Sequence, residues 1–311
     1  LGEPYGTLIL TLSIVIIEVA LVGAVMLGAK GAPTLGRDTM FAVLMIVLNG
    51  VVGIGLLIGG LRHFSQRYNF KGASSYLGVI IPLTVIPLFL PNFTTSTADG
   101  TLTSFQAIAF SIFTVALYGA FLALQTGRHR MFFREPEPEP EGERPAVPAA
   151  IAEESAPSSS AREILPHVGL LLANILPIVI LSKSLAGVLD FGIARLGAPP
   201  ALGGILIAMV VFTPECIAAL RAITGNQLQR AINLCLGAAA STLGMTVPAV
   251  LLIGVFTGQP VVLGLSATNM VIAAMTLLLS TLTFTGTRTT MLEGAVHLAV
   301  FFVFLVLVFS P

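Results

Sequence analysis

The strongest constraint on this chain is a series of nine apolar blocks, most of them long enough to cross a lipid bilayer. The blocks span roughly residues 8–29, 41–61, 76–91, 105–125, 165–182, 201–220, 231–257, 261–282 and 290–310. The hydrocarbon core of a bilayer takes about 20 apolar residues of helix. Only 10% of the 311 residues are charged, against about 25% in soluble domains. The sequence therefore predicts an all-α, polytopic membrane protein and excludes a water-soluble enzyme.

One hydrophilic segment separates the fourth block from the fifth. Glutamate and proline alternate near its start, over residues 135–141, and sequence rich in alanine, proline and serine continues to residue 160. Such a segment can neither form the interior of a helix nor bury a core. We therefore predict a first transmembrane repeat over residues 1–126, an acidic linker over residues 127–163 that is mostly extended and mobile, and a second transmembrane repeat over residues 164–311.

The distribution of lysine and arginine predicts the orientation of the chain in the membrane. Eleven basic residues lie in the loops on the same side as the linker, and four lie on the other side. Because cytoplasmic loops carry an excess of basic residues, we expect the acidic linker to be cytoplasmic.

The two halves carry a weak internal repeat. Residues 1–4 read Leu-Gly-Glu-Pro and residues 196–199 read Leu-Gly-Ala-Pro, and each motif precedes an apolar block that contains one glutamate, Glu18 or Glu215. Five crossings separate these two blocks, so they enter the membrane from opposite faces, as in secondary transporters. The sequence thus predicts two inverted repeats. The second has five helices and the first has four, so we expect the first helix of the first repeat to be missing.

Glu18 and Glu215 are the principal candidates for a functional site. A charged carboxylate at the centre of a membrane costs at least about 2.5–3.5 kcal/mol, so it normally faces a cavity, an ion or a partner. Two carboxylates can neutralise one divalent metal ion when ionised, or hold protons when the ion leaves. Such mutually exclusive binding is what an antiporter needs. The alternative is that each glutamate is protonated and hydrogen-bonded to a neighbouring helix.

Neutral oxygen donors near these glutamates are candidates for supporting ligands. Asn49, Ser241 and Thr213 lie within apolar blocks, although each residue type also serves as a hydrogen bond between membrane helices. Pro214 removes a backbone N–H directly before Glu215, so we expect a broken helix with free carbonyls at that point.

Residues near the ends of the blocks suggest minor roles. Glu293 begins the last block and is a candidate gate or proton relay, whereas His167 and His297 are expected to cap helices or lie at the membrane interface. The chain has no phosphate-binding glycine loop for ATP-driven pumping and no net charge that favours nucleic acid. We predict no enzymatic activity and no cofactor apart from the transported cation.

Several motifs resemble the calcium/proton exchanger (CAX) family of the cation/Ca²⁺ exchanger superfamily, most closely its bacterial ChaA-type calcium or sodium/proton antiporters. The motifs are Leu-Gly-Glu-Pro-Tyr-Gly-Thr at residues 1–7, Ile-Ile-Glu-Val at 16–19, Thr-Pro-Glu at 213–215, Gly-Asn-Gln-Leu-Gln-Arg-Ala-Ile-Asn at 225–233, and residues 284–298. The resemblance covers nearly the whole chain apart from the linker. It implies two five-helix inverted repeats, preceded by an extra helix.

The same resemblance implies a site and a function. It maps the two glutamates of a mid-membrane cation site onto Glu18 and Glu215, Asn49 onto the asparagine of a Ser-Asn pair, and Ser241 onto the glutamine of Gly-Ser-Ser-x-Gln. The implied activity is export of Ca²⁺ in exchange for H⁺ by alternating access in a bacterial inner or plasma membrane. A Na⁺/H⁺ or K⁺/H⁺ antiporter is the first alternative and a non-transporting membrane scaffold the second. The acidic linker is either a solvated connection or a Ca²⁺ sensor, and the oligomeric state is left open.

Overall fold

The computed structural model describes residues 13, 15–23, 26, 33–97, 100–136, 161–286 and 288–310. Nine helical segments follow one another within these residues, and two of them contain a π-helical turn. The segments are α1 (15–23); α2 (Leu35–Leu44), π1 (Met45–Val51) and α3 (Val52–His63), which are continuous; α4 (Phe70–Leu88); α5 (Ser104–Thr126); α6 (Ala161–Leu196); α7 (Ala201–Thr224); α8 (Leu228–Ser241), π2 (Thr242–Thr246) and α9 (Val247–Thr257), which are continuous; α10 (Ala267–Thr283); and α11 (Met291–Phe309).

The helices confirm the predicted all-α membrane architecture. Six of the described helical segments are long and apolar enough to cross a membrane, and Ala267–Thr283 is a shorter apolar helix. The chain is therefore a multi-pass membrane protein. The predicted mobile stretch of the linker falls mostly on residues 137–160, which lie outside the described residues.

Three helices differ in extent from the predicted blocks, and two of these differences have a local reason. α4 begins at Phe70, before its apolar block, because the Asn69 side chain accepts a hydrogen bond from Lys71 N and caps the helix. α10 begins at Ala267, after the start of its block, because the preceding residues bond to the first repeat. α6 extends over Ala161–Leu196, well beyond its block at both ends.

The two interrupted helices show the inverted repeat. Residues 35–63 follow the helix that contains Glu18, and residues 228–257 follow the helix that contains Glu215. Each has its π-helical turn in the interior of the span, and the two helices run through the membrane in opposite directions. Because π-helical turns are rare and are frequent at functional sites, this pairing marks equivalent positions in the two repeats.

The two repeats contact each other at both ends of the bundle. At the end where α5 stops and α6 starts, which we call the linker face, strand β1 (Gln66–Arg67) pairs antiparallel with β2 (Arg288–Thr289). At the opposite face, Val262 N donates to Pro33 O (2.9 Å) and Leu265 N donates to Leu88 O (2.9 Å). Hydrogen bonds at both ends therefore join the first half of the chain to the second.

The first part of the predicted linker is ordered against the bundle. Residues 130–136, which we call the linker strap, begin with the 3₁₀ turn Arg130–Phe133. Phe133 O accepts a hydrogen bond from Asn233 Nδ2 of α8 (2.6 Å), and the Phe133 ring packs against Tyr76 of α4. Glu135 Oε1 accepts a hydrogen bond from Gln229 N at the start of α8 (3.4 Å). The linker strap thus connects helices of both repeats.

Docking of the linker strap is expected to weaken as the pH rises. Burial raises the pKa of the Glu135 carboxyl above that of an exposed glutamate, so the docked strap holds a proton more tightly than an undocked one. Docking is therefore most favourable below the ordinary pKa of glutamate. It becomes less favourable as the pH rises through the raised pKa of the docked carboxyl. Hydrogen-exchange protection factors of the backbone amides of residues 130–135, compared between about pH 5 and about pH 8, measure this change. The Glu135→Gln variant should lose the pH dependence, and a variant that keeps it contradicts the assignment.

Candidate cation-binding site

Glu18 lies at the centre of the candidate site. Its side chain is 1% exposed, and its Oε2 atom accepts a hydrogen bond from Thr242 Oγ1 (3.0 Å). Its other oxygen, Oε1, is buried and has no hydrogen-bond partner within the described part of the chain. A buried carboxylate oxygen without a donor is costly, so the position suits a proton or a cation.

Thr242 and Thr246 reach the Glu18 carboxyl from π2, in the opposite repeat. Thr246 lies close to the carboxyl, but its hydroxyl is buried without a hydrogen-bond partner at bonding distance among the described residues. Pro248 follows in the first turn of α9. Because proline lacks an N–H and its ring crowds the preceding carbonyls, the helix widens into the π-helical turn π2 just before it. The widened turn places two hydroxyl oxygens beside one carboxylate.

Glu215 contributes the second carboxylate from α7. The residue is half-buried, and its Oε2 atom is buried without a hydrogen-bond partner in the described chain. The Glu18 and Glu215 carboxyls lie close enough to interact electrostatically. One carboxylate thus comes from each repeat, and both carry an oxygen that is free to bind a proton or a cation.

The expected helix break at Pro214 is absent. α7 runs continuously over Ala201–Thr224 and includes Pro214 in its interior. The missing proline N–H leaves Val210 O, four residues earlier, without its helical donor. The Thr213 side chain does not fill this gap, because it is exposed and donates to Met209 O (2.5 Å). The structure therefore does not bring Thr213 to the two glutamates.

The other predicted ligands bond to neighbouring helical groups. Ser241 Oγ is buried and donates to Ala238 O of its own helix (3.0 Å). Asn49 Nδ2 donates to Thr276 Oγ1 (2.8 Å), and Asn49 Oδ1 bonds to His297, so the Asn49 side chain bonds to α10 and α11 rather than to either glutamate. Asn49 lies within π1 and Ser241 lies directly before π2.

Glu293 has a structural role at the start of α11. It forms a capping box in which Thr290 N donates to Glu293 Oε2 (2.7 Å) and the Thr290 hydroxyl contacts the same oxygen. Such a box satisfies helix N–H groups at the linker face. The residue is partly buried, and its carboxylate belongs to the helix cap in this conformation.

Sequence reasoning missed three residues that the structure brings into buried polar contacts. His297 was expected at a helix end or interface, but it is 0% exposed and both ring nitrogens are hydrogen-bonded. Thr242 and Thr246 were not predicted at all. The only sequence feature that could have indicated them is their position shortly before Pro248. They lie in the apolar block of the second repeat that corresponds to residues 41–61 of the first. The side chain of His167 is not among those that the structure describes.

Comparison with known proteins identifies the family. The sodium/calcium exchanger protein family matches residues 1–127 and 166–310, which is nearly all of the chain outside the linker. This chain belongs to that family. The predicted membership of the cation/Ca²⁺ exchanger superfamily is confirmed.

Two curated relatives align over the full length of this exchanger-family chain. It is 40% identical to the putative ionic transporter y4hA of Sinorhizobium fredii, over 100% of this chain and 82% of that protein. It is 37% identical to the sodium-potassium/proton antiporter ChaA of Escherichia coli, again over 100% of this chain and 82% of that protein.

Solved exchanger structures share the fold at lower identity. The Ca²⁺/H⁺ antiporter protein YfkE superposes with a TM-score of 0.74 and 17% identity, covering 100% of this chain and 86% of that one. The H⁺/Ca²⁺ exchanger CAX superposes with a TM-score of 0.68 and 17% identity, covering 95% of this chain and 73% of that one. At this identity the similarity establishes the fold alone.

Proposed function

We propose that this protein is a secondary antiporter that exchanges Ca²⁺ for H⁺ by alternating access, with Glu18 and Glu215 as the groups that bind both substrates. The observation that carries the proposal is the proximity of a buried and a half-buried carboxylate from inverted repeats, each with a buried oxygen that lacks a partner in the described chain. A mid-membrane carboxylate that is neither paired nor protonated is too costly to persist, so either a cation or protons must occupy the site.

The chemistry of the two carboxylates makes the substrates exclusive. In their ionised forms they supply two negative charges and hard oxygen ligands, which Ca²⁺ prefers. Thr242 and Thr246 add neutral oxygens beside Glu18. Protonation removes the charge and converts each carboxyl into a hydrogen-bond donor, so the cation leaves. One cycle then exchanges one divalent cation for about two protons, one on each carboxyl.

A monovalent cation is the second candidate substrate. ChaA, which is named a sodium-potassium/proton antiporter, is 37% identical over the full chain, whereas the Ca²⁺/H⁺ exchangers of known structure are 17% identical. Na⁺ and K⁺ also bind oxygen ligands, and either could be exchanged at the same two carboxylates. The proposed mechanism is the same for these ions, and only the charge balance changes.

The proposed location is a bacterial inner or plasma membrane, with the linker face in the cytoplasm. Both curated relatives come from bacteria. Basic residues are enriched at the linker face, where the positive-inside rule places the cytoplasm.

Cation-driven proton flux in proteoliposomes tests the function. The purified protein is reconstituted with a proton gradient and a trapped pH-sensitive dye, and Ca²⁺, Na⁺ or K⁺ is added outside. We expect Ca²⁺ to dissipate the gradient, with protein-free vesicles as the control. A response to Na⁺ or K⁺ without Ca²⁺ supports the second candidate, and no response to any of the three cations overturns the proposal.

A further inference from the structure

A buried chain of hydrogen bonds links π1 to α10 and α11, apart from the two glutamates. Asn49 Nδ2 donates to Thr276 Oγ1 (2.8 Å), Asn49 Oδ1 is 3.1 Å from His297 Nδ1, and His297 Nε2 is 3.0 Å from Thr283 Oγ1. All four residues are 5% exposed or less. Every side-chain nitrogen within this chain has a bonding partner.

The thioether of Met45 fixes the direction of the hydrogen bonds that Asn49 makes. Its sulfur can only accept, and it faces both Asn49 Nδ2 (3.6 Å) and Thr276 Oγ1 (3.7 Å). The amide NH₂ of Asn49 must therefore point to Met45 and Thr276, which turns Asn49 Oδ1 towards His297. His297 then carries its proton on Nδ1, and Nε2 accepts a hydrogen bond from the Thr283 hydroxyl. In a neutral imidazole this order corresponds to a single tautomer, with the proton on Nδ1.

We propose that His297 is a positioning residue for transport, because its Nδ1–H holds the side chain of Asn49 and thereby fixes the π1 turn. This inference rests on the proposed antiport function. π1 packs against α7, which carries Glu215, and against α8, which leads into the threonines of π2. A π-helical turn is less stable than the α-helix around it, so side-chain bonds that hold it set the shape of the adjacent site. His297 does not touch the substrates itself.

The position of His297 depends on close packing between α3 and α11. A Cβ atom on Gly294 would lie 2.4 Å from Leu57 N, and one on Gly53 would lie 3.0 Å from Leu298 N, so the helix backbones are nearly in contact. This proximity places His297, one turn beyond Gly294, within hydrogen-bonding reach of Asn49.

The transport test separates positioning from a general loss of stability. In His297→Leu we expect the KM for the transported cation to rise about three- to tenfold, the effect of one hydrogen bond, while the maximal rate per folded protein changes less. His297→Gln, which can donate to Asn49 and accept from Thr283, should restore most of the affinity. Ser280→Ala is the matched control, since it removes a buried hydroxyl of α10 that has no partner in the described chain.

A double-mutant cycle shows whether His297 acts through Asn49. If it does, His297→Leu adds little to the KM of Asn49→Leu, whereas independent effects would multiply. Independent effects, or a KM in His297→Leu equal to that of the wild type while the wild type transports, overturn this inference and leave the antiport function intact. The absence of exchange in the wild type instead overturns the antiport function.

The predicted tautomer of His297 can be measured without a transport assay. In ¹⁵N-histidine NMR spectra we expect a single Nδ1–H tautomer for the signal that His297→Leu removes. Asn49→Leu should abolish that tautomer preference, while Ser280→Ala should keep it. An Nε2–H tautomer in the wild type contradicts the derived order and overturns the inference, whether or not the protein transports.

Discussion

Replacing either Glu18 or Glu215 with glutamine is expected to reduce proton-coupled cation exchange by about two orders of magnitude or more. Glutamine keeps the volume of the side chain but can neither ionise nor carry the exchanged proton. Removing one charged partner from a buried site typically costs about 3–5 kcal/mol, which corresponds to that loss. Cation-driven proton flux in proteoliposomes measures the effect.

The control for this prediction is Glu293→Gln. Glu293 is a partly buried carboxylate that caps α11, so its loss should alter helix stability by only a few tenths of a kcal/mol to about 1 kcal/mol and leave the exchange largely intact. A Glu18→Gln protein that folds and exchanges cations at the wild-type rate would exclude the shared-carboxylate mechanism. Equal losses in all three variants would point to a general effect of membrane carboxylates rather than to this site.

The helices and the glutamates were predictable because each leaves a strong local signal. Nine apolar blocks correspond to nine helical segments within the described residues, since spanning a bilayer requires a minimum run of apolar residues. Glu18 and Glu215 stand out because a charged group in such a run is rare. Their matched places in the two halves indicated a pair before any geometry was available.

The neutral residues around the glutamates were not predictable, because their roles depend on which helices meet. Thr242 reaches Glu18 only because π2 packs against the other repeat, and no local pattern distinguishes it from the many other threonines in apolar blocks. Asn49 was predicted as a ligand from its polarity, but the structure turns it towards His297. His297 lies only four residues beyond the capping residue Glu293, and its burial follows from the close approach of α3 to α11.

The close approach of α3 and α11 leads to the second prediction, a large loss of folding stability when Gly294 is replaced. Gly294→Ala is expected to destabilise the folded protein by about 3 kcal/mol or more, at the upper end of overpacking effects. The added Cβ would lie 2.4 Å from Leu57 N and 2.8 Å from Gly53 O, both of which are backbone atoms that cannot rotate away. The two helices would have to separate, which would also pull His297 away from Asn49.

Gly78→Ala is the matched control for this substitution. Gly78 lies inside α4 with nothing within 4 Å of an added Cβ, so alanine should be neutral there or stabilise the helix by up to about 1 kcal/mol. The comparison is made on the midpoint of thermal unfolding in detergent, with the two variants purified in parallel. We expect Gly294→Ala to unfold well below the wild type and Gly78→Ala at or above it. Equal midpoints for the two variants would mean that α3 and α11 are not in backbone contact, and the hydrogen bond from His297 to Asn49 could not then form.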